Sequence, residues 1–179
     1  MTITMNKNQR RTAVIAKSIL AMILIFSQTL CLSAETETYK EDLNSDGRKE
    51  TITAEDKFET QAQSIITVLG MNNNLIGRFS VPYRLKKVEF VDLNKDGNKQ
   101  IIAWSSNDVL YTEIAIYGYK DGRLYKIFED GSPFGIKANF KSKPPAIKIG
   151  RMTLNKEGTS YSSVPEWEIW VWDGKEFYK

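Results

Sequence analysis

From residue 35 onward the apolar positions fall in short bursts separated by polar stretches rich in Gly, Asn and Asp. No burst sustains the three-to-four-residue apolar spacing of an amphipathic helix, so the bursts read as strands. Three of them are paired about a turn: SIITVLGMNNNLIGRF from Ser64, EIAIYGYKDGRLYKIF from Glu113 and EWEIWVWDGKEFY from Glu166. Each predicts a β-hairpin. In the second and third, Asp121-Gly122 and Asp173-Gly174 supply the turn, because a tight turn needs positive φ and glycine takes it without steric cost. In the first, Asn72-Asn73-Asn74 plays that part. The arms are apolar on both faces instead of alternating. In the last hairpin Ile169 and Val171 point one way while Trp170 and Trp172 point the other, which predicts strands covered on both sides and both tryptophans in the core.

The hairpins belong to a longer period. Positions 41–50 read EDLNSDGRKE and positions 91–100 read VDLNKDGNKQ, with six of ten letters shared. Each copy leads into a predicted strand, Thr51 to Ala54 and Ile101 to Trp104, and then into a hairpin. In a third unit the loop is replaced by KSKPPAIKIG, where Pro144-Pro145 excludes it but Ile147 and Ile149 still supply a strand. A repeat of about fifty residues indicates stacked supersecondary units. The expected fold is therefore all-β, with three stacked antiparallel hairpin units at about 35–81, 82–131 and 132–179, resembling an incomplete β-propeller. Stacking leaves the outer faces of the first and third units uncovered. This predicts either a covering loop or a homo-oligomer joined through the Trp170 and Trp172 region.

Residues 1–34 stand apart. Lys7, Arg10, Arg11 and Lys17 precede an uncharged, mostly apolar run from Ser18 to Ala34, the pattern of a signal peptide cleaved after Ala34. The run is short for a bilayer span, so stable membrane insertion after cleavage is not expected. The expected location is extracytoplasmic, secreted or periplasmic. Without those four cations the chain carries 21 Lys and Arg against 22 Asp and Glu, which argues against a nucleic-acid partner. One stretch, Gly131 to Lys156, holds six cations and no acid. It reads as a solvated face or as a surface for an anionic envelope polymer.

The repeated loop sets oxygen-bearing side chains at alternate places before a glycine. Counting from Asp42, the candidate ligands are Asp42, Asn44, Asp46, the Arg48 carbonyl and Glu50. In the second copy they are Asp92, Asn94, Asp96, the Asn98 carbonyl and Gln100. A chain curling around Ca2+ presents its ligands at this spacing, and Gly47 and Gly97 permit the curl. The same letters also make a metal-free Asx turn. An EF-hand is excluded, because place twelve holds Thr53 and Ala103 where a bidentate Glu is needed and the flanks read as strand.

The loops resemble the calcium-binding turn of FG-GAP and VCBS-type repeats, the units of integrin-like β-propellers, written D-x-[DN]-x-D-G-x-x-[DEN]. The resemblance implies calcium contact at Asp42, Asn44, Asp46 and Glu50 and at Asp92, Asn94, Asp96 and Gln100. It also implies strand–loop–strand geometry within a blade. The chain departs from the pattern at the neutral Gln100, in a single Phe134-Gly135 without a following GAP, and in having three units where a closed ring has six or seven.

Chemistry is narrowed by what the chain lacks. There is no His, and the single Cys, Cys31, lies in the expected leader, which removes Ser-His-Asp, Cys-His and imidazole or thiolate zinc sites. The leading expectation is a non-enzymatic calcium-binding module for an unidentified protein or glycan. The alternatives are a carboxylate-dependent glycoside hydrolase, with Glu113 or Glu166 as acids outside the loops, and a polyanion-binding envelope protein.

Overall fold

The computed structural model describes residues 35–57, 61–108, 111–154, 160–161 and 164–179, and the expected leader lies outside them. Residues 34–179 form one compact unit. Every regular element described is a strand. The first sheet is β1 (Thr36–Glu41), β2 (Glu50–Asp56), β3 (Gln63–Leu69) and β4 (Leu75–Pro82). The second is β5 (Arg84–Val91), β6 (Gln100–Ser106), β7 (Thr112–Lys120) and β8 (Arg123–Ser132). The third is β9 (Ile136–Asn139), β10 (Ala146–Arg151), β11 (Glu166–Trp172) and β12 (Phe177–Tyr178). Each sheet is a four-stranded antiparallel meander with its strands in chain order. The all-β architecture of three stacked antiparallel units is the one the sequence pattern predicts.

The hairpin turns follow from local chemistry. Between β7 and β8, Asp121 and Gly122 adopt φ of 51° and 74°, while Lys120 pairs with Arg123 across the turn. Two consecutive positive φ values give the twist that continues both strands. The opening strand of each unit was not predicted. β1 (TETYKE) and β5 (RLKKVEFV) carry charges at half of their positions, because each is a sheet edge with one side in water.

Two cores hold the stack. The first lies between sheets one and two, where Ile52, Ile66, Val68, Phe79 and Val81 meet Val88, Ile101, Ala103 and Ala115. The second lies between sheets two and three, where Ile102, Ile114, Ile116 and Phe128 meet Ile147, Ile149, Trp172 and Phe177. The middle sheet is thus apolar on both faces, as the unbroken runs of β6 and β7 predict.

The end sheets differ from expectation. On the outer face of the first sheet Thr38, Thr53, Thr67 and Arg78 stand opposite one another across the four strands, and the next row sets Glu55 against Ile65, which is 6% exposed, so this face is largely polar with one buried isoleucine. In the third sheet Trp170 and Trp172 do pack into the second core. They are therefore not the open surface through which copies were expected to associate. The residues left outside include Trp167 and Ile169, 37% and 47% exposed, because among the described residues no further sheet stacks on β11. Two-sided cover holds for the middle sheet and fails for the third.

Candidate metal loops

Residues 42–49 join β1 to β2 and residues 92–99 join β5 to β6, and the two loops have one conformation. Ser45 and Lys95 take φ of 58° and 60°, and Gly47 and Gly97 take 81° and 92°. The shared Leu of DLN explains their position: Leu43 is fully buried in the first core, and Leu93 is 4% exposed in the second. Each leucine pins its loop between two sheets. The loops also touch one another. Ser45 Oγ donates to the Gly97 carbonyl, Lys99 N donates to the Leu43 carbonyl at 3.0 Å, and Lys99 Nζ pairs with Glu41 at 2.7 Å.

The five ligand places can be compared directly. At place one, Asp42 Oδ2 accepts from Gly47 N at 2.9 Å and Asp92 Oδ2 from Gly97 N at 2.8 Å. The second carboxylate oxygens differ: Asp92 Oδ1 accepts from Asp96 N at 3.2 Å, whereas Asp42 Oδ1 is buried with no hydrogen-bond partner. At place three, Asn44 Oδ1 accepts from Asp46 N at 3.2 Å, while Asn94 Oδ1 is taken by Trp172 Nε1 at 2.8 Å. At place five, Asp46 and Asp96 each accept from the backbone two residues on, at 2.8 Å.

Place nine separates the loops most clearly. Glu50 Oε2 accepts from Leu43 N at 2.9 Å, and Gln100 Oε1 accepts from Leu93 N at the same distance, so both residues staple the loop closed. Glu50 is 5% exposed and pairs with no Lys or Arg among the described residues. A largely buried carboxylate with no cation beside it is a place where a bound cation would be favoured. In the second loop Gln100 Nε2 donates to the Asn98 carbonyl, the place-seven oxygen, at 3.2 Å. An amide N–H there meets the acceptor that a cation would otherwise meet. Glu50 has no such donor to offer Arg48.

The first loop therefore keeps one carboxylate oxygen, Asp42 Oδ1, without a donor, and in the second loop Asp92 Oδ1 has its donor and Asn94 is engaged by Trp172 of the third sheet. Among the described residues no three His, Cys, Asp or Glu side chains are gathered closely enough to hold a metal ion. Asp42, Asp46 and Glu50 would have to swing together to share one. The surrounding field agrees with their charge. Lys99 is raised by its hydrogen bond to Glu41, with Asp42 and Asp92 adding, and Tyr119 is raised by burial, with Glu50 and Asp46 adding. Beside the loops an open depression is lined by Asn44, Asn94, Asp96, Asn98, Tyr119 and Tyr125.

Outside the loops, Glu113 on β7 lies between Ser105 on β6 and Gly131 on β8. Its Oε2 and Ser105 Oγ are both buried without a hydrogen-bond partner. Burial, with Glu129 and Asp130 nearby, pushes the Glu113 carboxyl up to about 7. A single acid inside the apolar run EIAIY was the sequence signal for this position. Glu129 and Asp130 are already engaged by Lys126 and Arg151, and Glu166 is exposed at the start of β11. The cations of residues 131–156 do not form one patch. Arg151 bridges Asp130 on β8 and Glu168 on β11, Lys137 and Lys148 lie on the third sheet, and Lys156 falls outside the described residues. No protein-family model matches the chain, and searches of curated proteins and of solved structures find no similar protein.

Proposed function

We propose that residues 35–179 form an exported, non-enzymatic β-repeat module of the FG-GAP/VCBS type that binds Ca2+ at its first loop and serves in interaction with other molecules. The observation that carries this reading is the pair formed by Asp42 Oδ1, buried without a donor, and Glu50, buried without a cation, in a loop of calcium-ligand spacing. Bound there, the ion would neutralise carboxylates that otherwise repel, with Asp42, Asn44, Asp46, the Arg48 carbonyl and Glu50 as its holders. The second loop has the same shape but reads as a turn that its own amides and the Trp172 indole complete. Thermal melting of residues 35–179 with millimolar calcium and with chelator tests the proposal. Equal melting temperatures in both would reduce the two loops to turns.

A second reading has one observation in its favour, the raised carboxyl of Glu113, which is the property of a general acid. A glycosidase needs a second, free carboxylate opposite it, and the neighbouring Glu129 and Asp130 are held in ion pairs. Hydrolysis of a polysaccharide that disappears in Glu113→Gln would replace the first reading with this one.

A further inference from the structure

The third sheet presents an outward face made by alternate residues of its strands. Trp167, Ile169 and Val171 run down β11, and Tyr178 on β12 stands opposite Val171. Lys148 on β10 stands opposite Ile169, Lys137 on β9 stands opposite Lys148, and Lys137 Nζ sits over the Trp167 ring at 4.5 Å. Trp167, Ile169 and Tyr178 are 37%, 47% and 51% exposed. No Asp or Glu occupies an outward position of these strands; Glu168, on the inward side, is tied to Arg151 and Lys179. The face therefore joins an apolar strip to two cations with no acid to offset them.

We infer that this face docks peripherally on an anionic phospholipid surface. Branched aliphatics suit an acyl boundary, Trp and Tyr suit the headgroup level, and lysines beside them suit lipid phosphate. The other occupants fit less well. A second copy placed face to face would bring two more lysines to the contact and no strand carboxylate to pair with them. The opposite end of another copy would offer a largely polar face, the threonine row with Arg78 beside Lys40 and Glu55, which gives the apolar strip of β11 little to bury against. A glycan would stack on Trp167 but gain nothing from Ile169 and Val171. Docking here is a face-on association of a folded sheet, and among the described residues no helix is long and apolar enough to cross a membrane. The inference stands apart from the calcium reading, because neither loop lies on this face.

The test uses residues 35–179, in which both cores are complete, with vesicles of phosphatidylcholine alone or mixed with phosphatidylglycerol. Sedimentation should carry the protein down with the mixed vesicles, and high salt should release it. Trp167 is the exposed tryptophan of the four, so its emission should shift to the blue on binding. Lys137→Glu/Lys148→Glu and Trp167→Ser/Ile169→Ser should each raise the lipid needed for half-binding roughly tenfold or more. Thr53→Ala, on the opposite end of the stack, should leave it unchanged. Circular dichroism of each variant checks the fold, and Ile169→Lys, which keeps the strand and adds charge, separates apolar contact from attraction. Absence of sedimentation, binding equal on neutral vesicles, or retention by an acidic polysaccharide without vesicle binding would each overturn the inference.

Discussion

Place nine of the loops shows how one atom changes the meaning of a motif. Glu50 and Gln100 make the same hydrogen bond to a leucine N–H, so either residue keeps the loop shut, but only the amide can also donate to the place-seven carbonyl. Gln100→Glu removes that donor and sets a carboxylate against the Asn98 carbonyl. Without calcium it should cost about 1–3 kcal/mol in urea unfolding, with much of the loss recovered when calcium is added. Asp46→Ala should abolish more of the wild-type calcium shift than Asp96→Ala. At Glu113 the consequence is a pH dependence. Its carboxyl is raised from 4.5 to about 7 in the fold, so the folded state binds the extra proton between those values. Stability contributed here is present at low pH and is lost as pH rises through that window. Glu113→Gln should flatten the decline and melt higher than wild type at about pH 8, with a smaller difference at about pH 5. A melting temperature difference that does not change with pH would show that Glu113 does not titrate there.

At the scale of elements, the strands legible in the sequence were those with apolar residues on both faces. β6 and β7 announced themselves because burial from two sides permits few polar letters, and β11 because it carries apolar letters on both faces although only one is covered. β1, β5 and β9 did not, because an edge strand can afford charge at alternate positions and so resembles a loop. The loops were legible as repeats, yet their difference was not. That Trp172 reaches Asn94 across 78 positions is a property of the stacking, and no local pattern encodes it. The open face of β11 was missed for a related reason: an apolar letter pattern gives the capacity for two-sided burial, while the number of sheets decides whether the second side is used. Arg151 is one of the side chains that tie the last two sheets together, beside Ser132 and Trp172. Arg151 donates to Asp130 on β8 and to Glu168 on β11, and it also reaches the Gly131 carbonyl at 3.0 Å. Its guanidinium is held charged by these partners, and Glu168 is lowered by Lys179 and by Arg151 in return. Arg151→Met should cost about 1–3 kcal/mol in urea unfolding, since it strips charged hydrogen bonds from both sheets at once.

For the whole molecule, the middle sheet belongs to both cores, and this decides how the stack melts. Repeat stacks can unfold unit by unit when neighbouring interfaces are weak. Here Ile101, Ala103 and Ala115 face the first sheet while Ile102, Ile114 and Ile116 face the third, so losing the middle sheet exposes both. The tryptophans provide a way to see this, because Trp104, Trp167, Trp170 and Trp172 all lie in the second and third sheets and none lies in the first. Fluorescence thus reports on one core, and far-ultraviolet circular dichroism reports on all three sheets. The two melting curves should coincide. Calcium supplies a sharper form of the same test. Its proposed site is in the first loop, far along the chain from any tryptophan, but that loop is fastened to the second by Ser45, by Lys99 N and by the Lys99–Glu41 pair. An ion bound only by the folded state at a hundredfold excess over its dissociation constant contributes about 2.7 kcal/mol, which for a chain of about 145 residues is several degrees. The full shift should appear in tryptophan fluorescence as well as in circular dichroism. A calcium shift seen by circular dichroism alone would mean that the first sheet melts separately and that the loop contacts do not couple it to the rest.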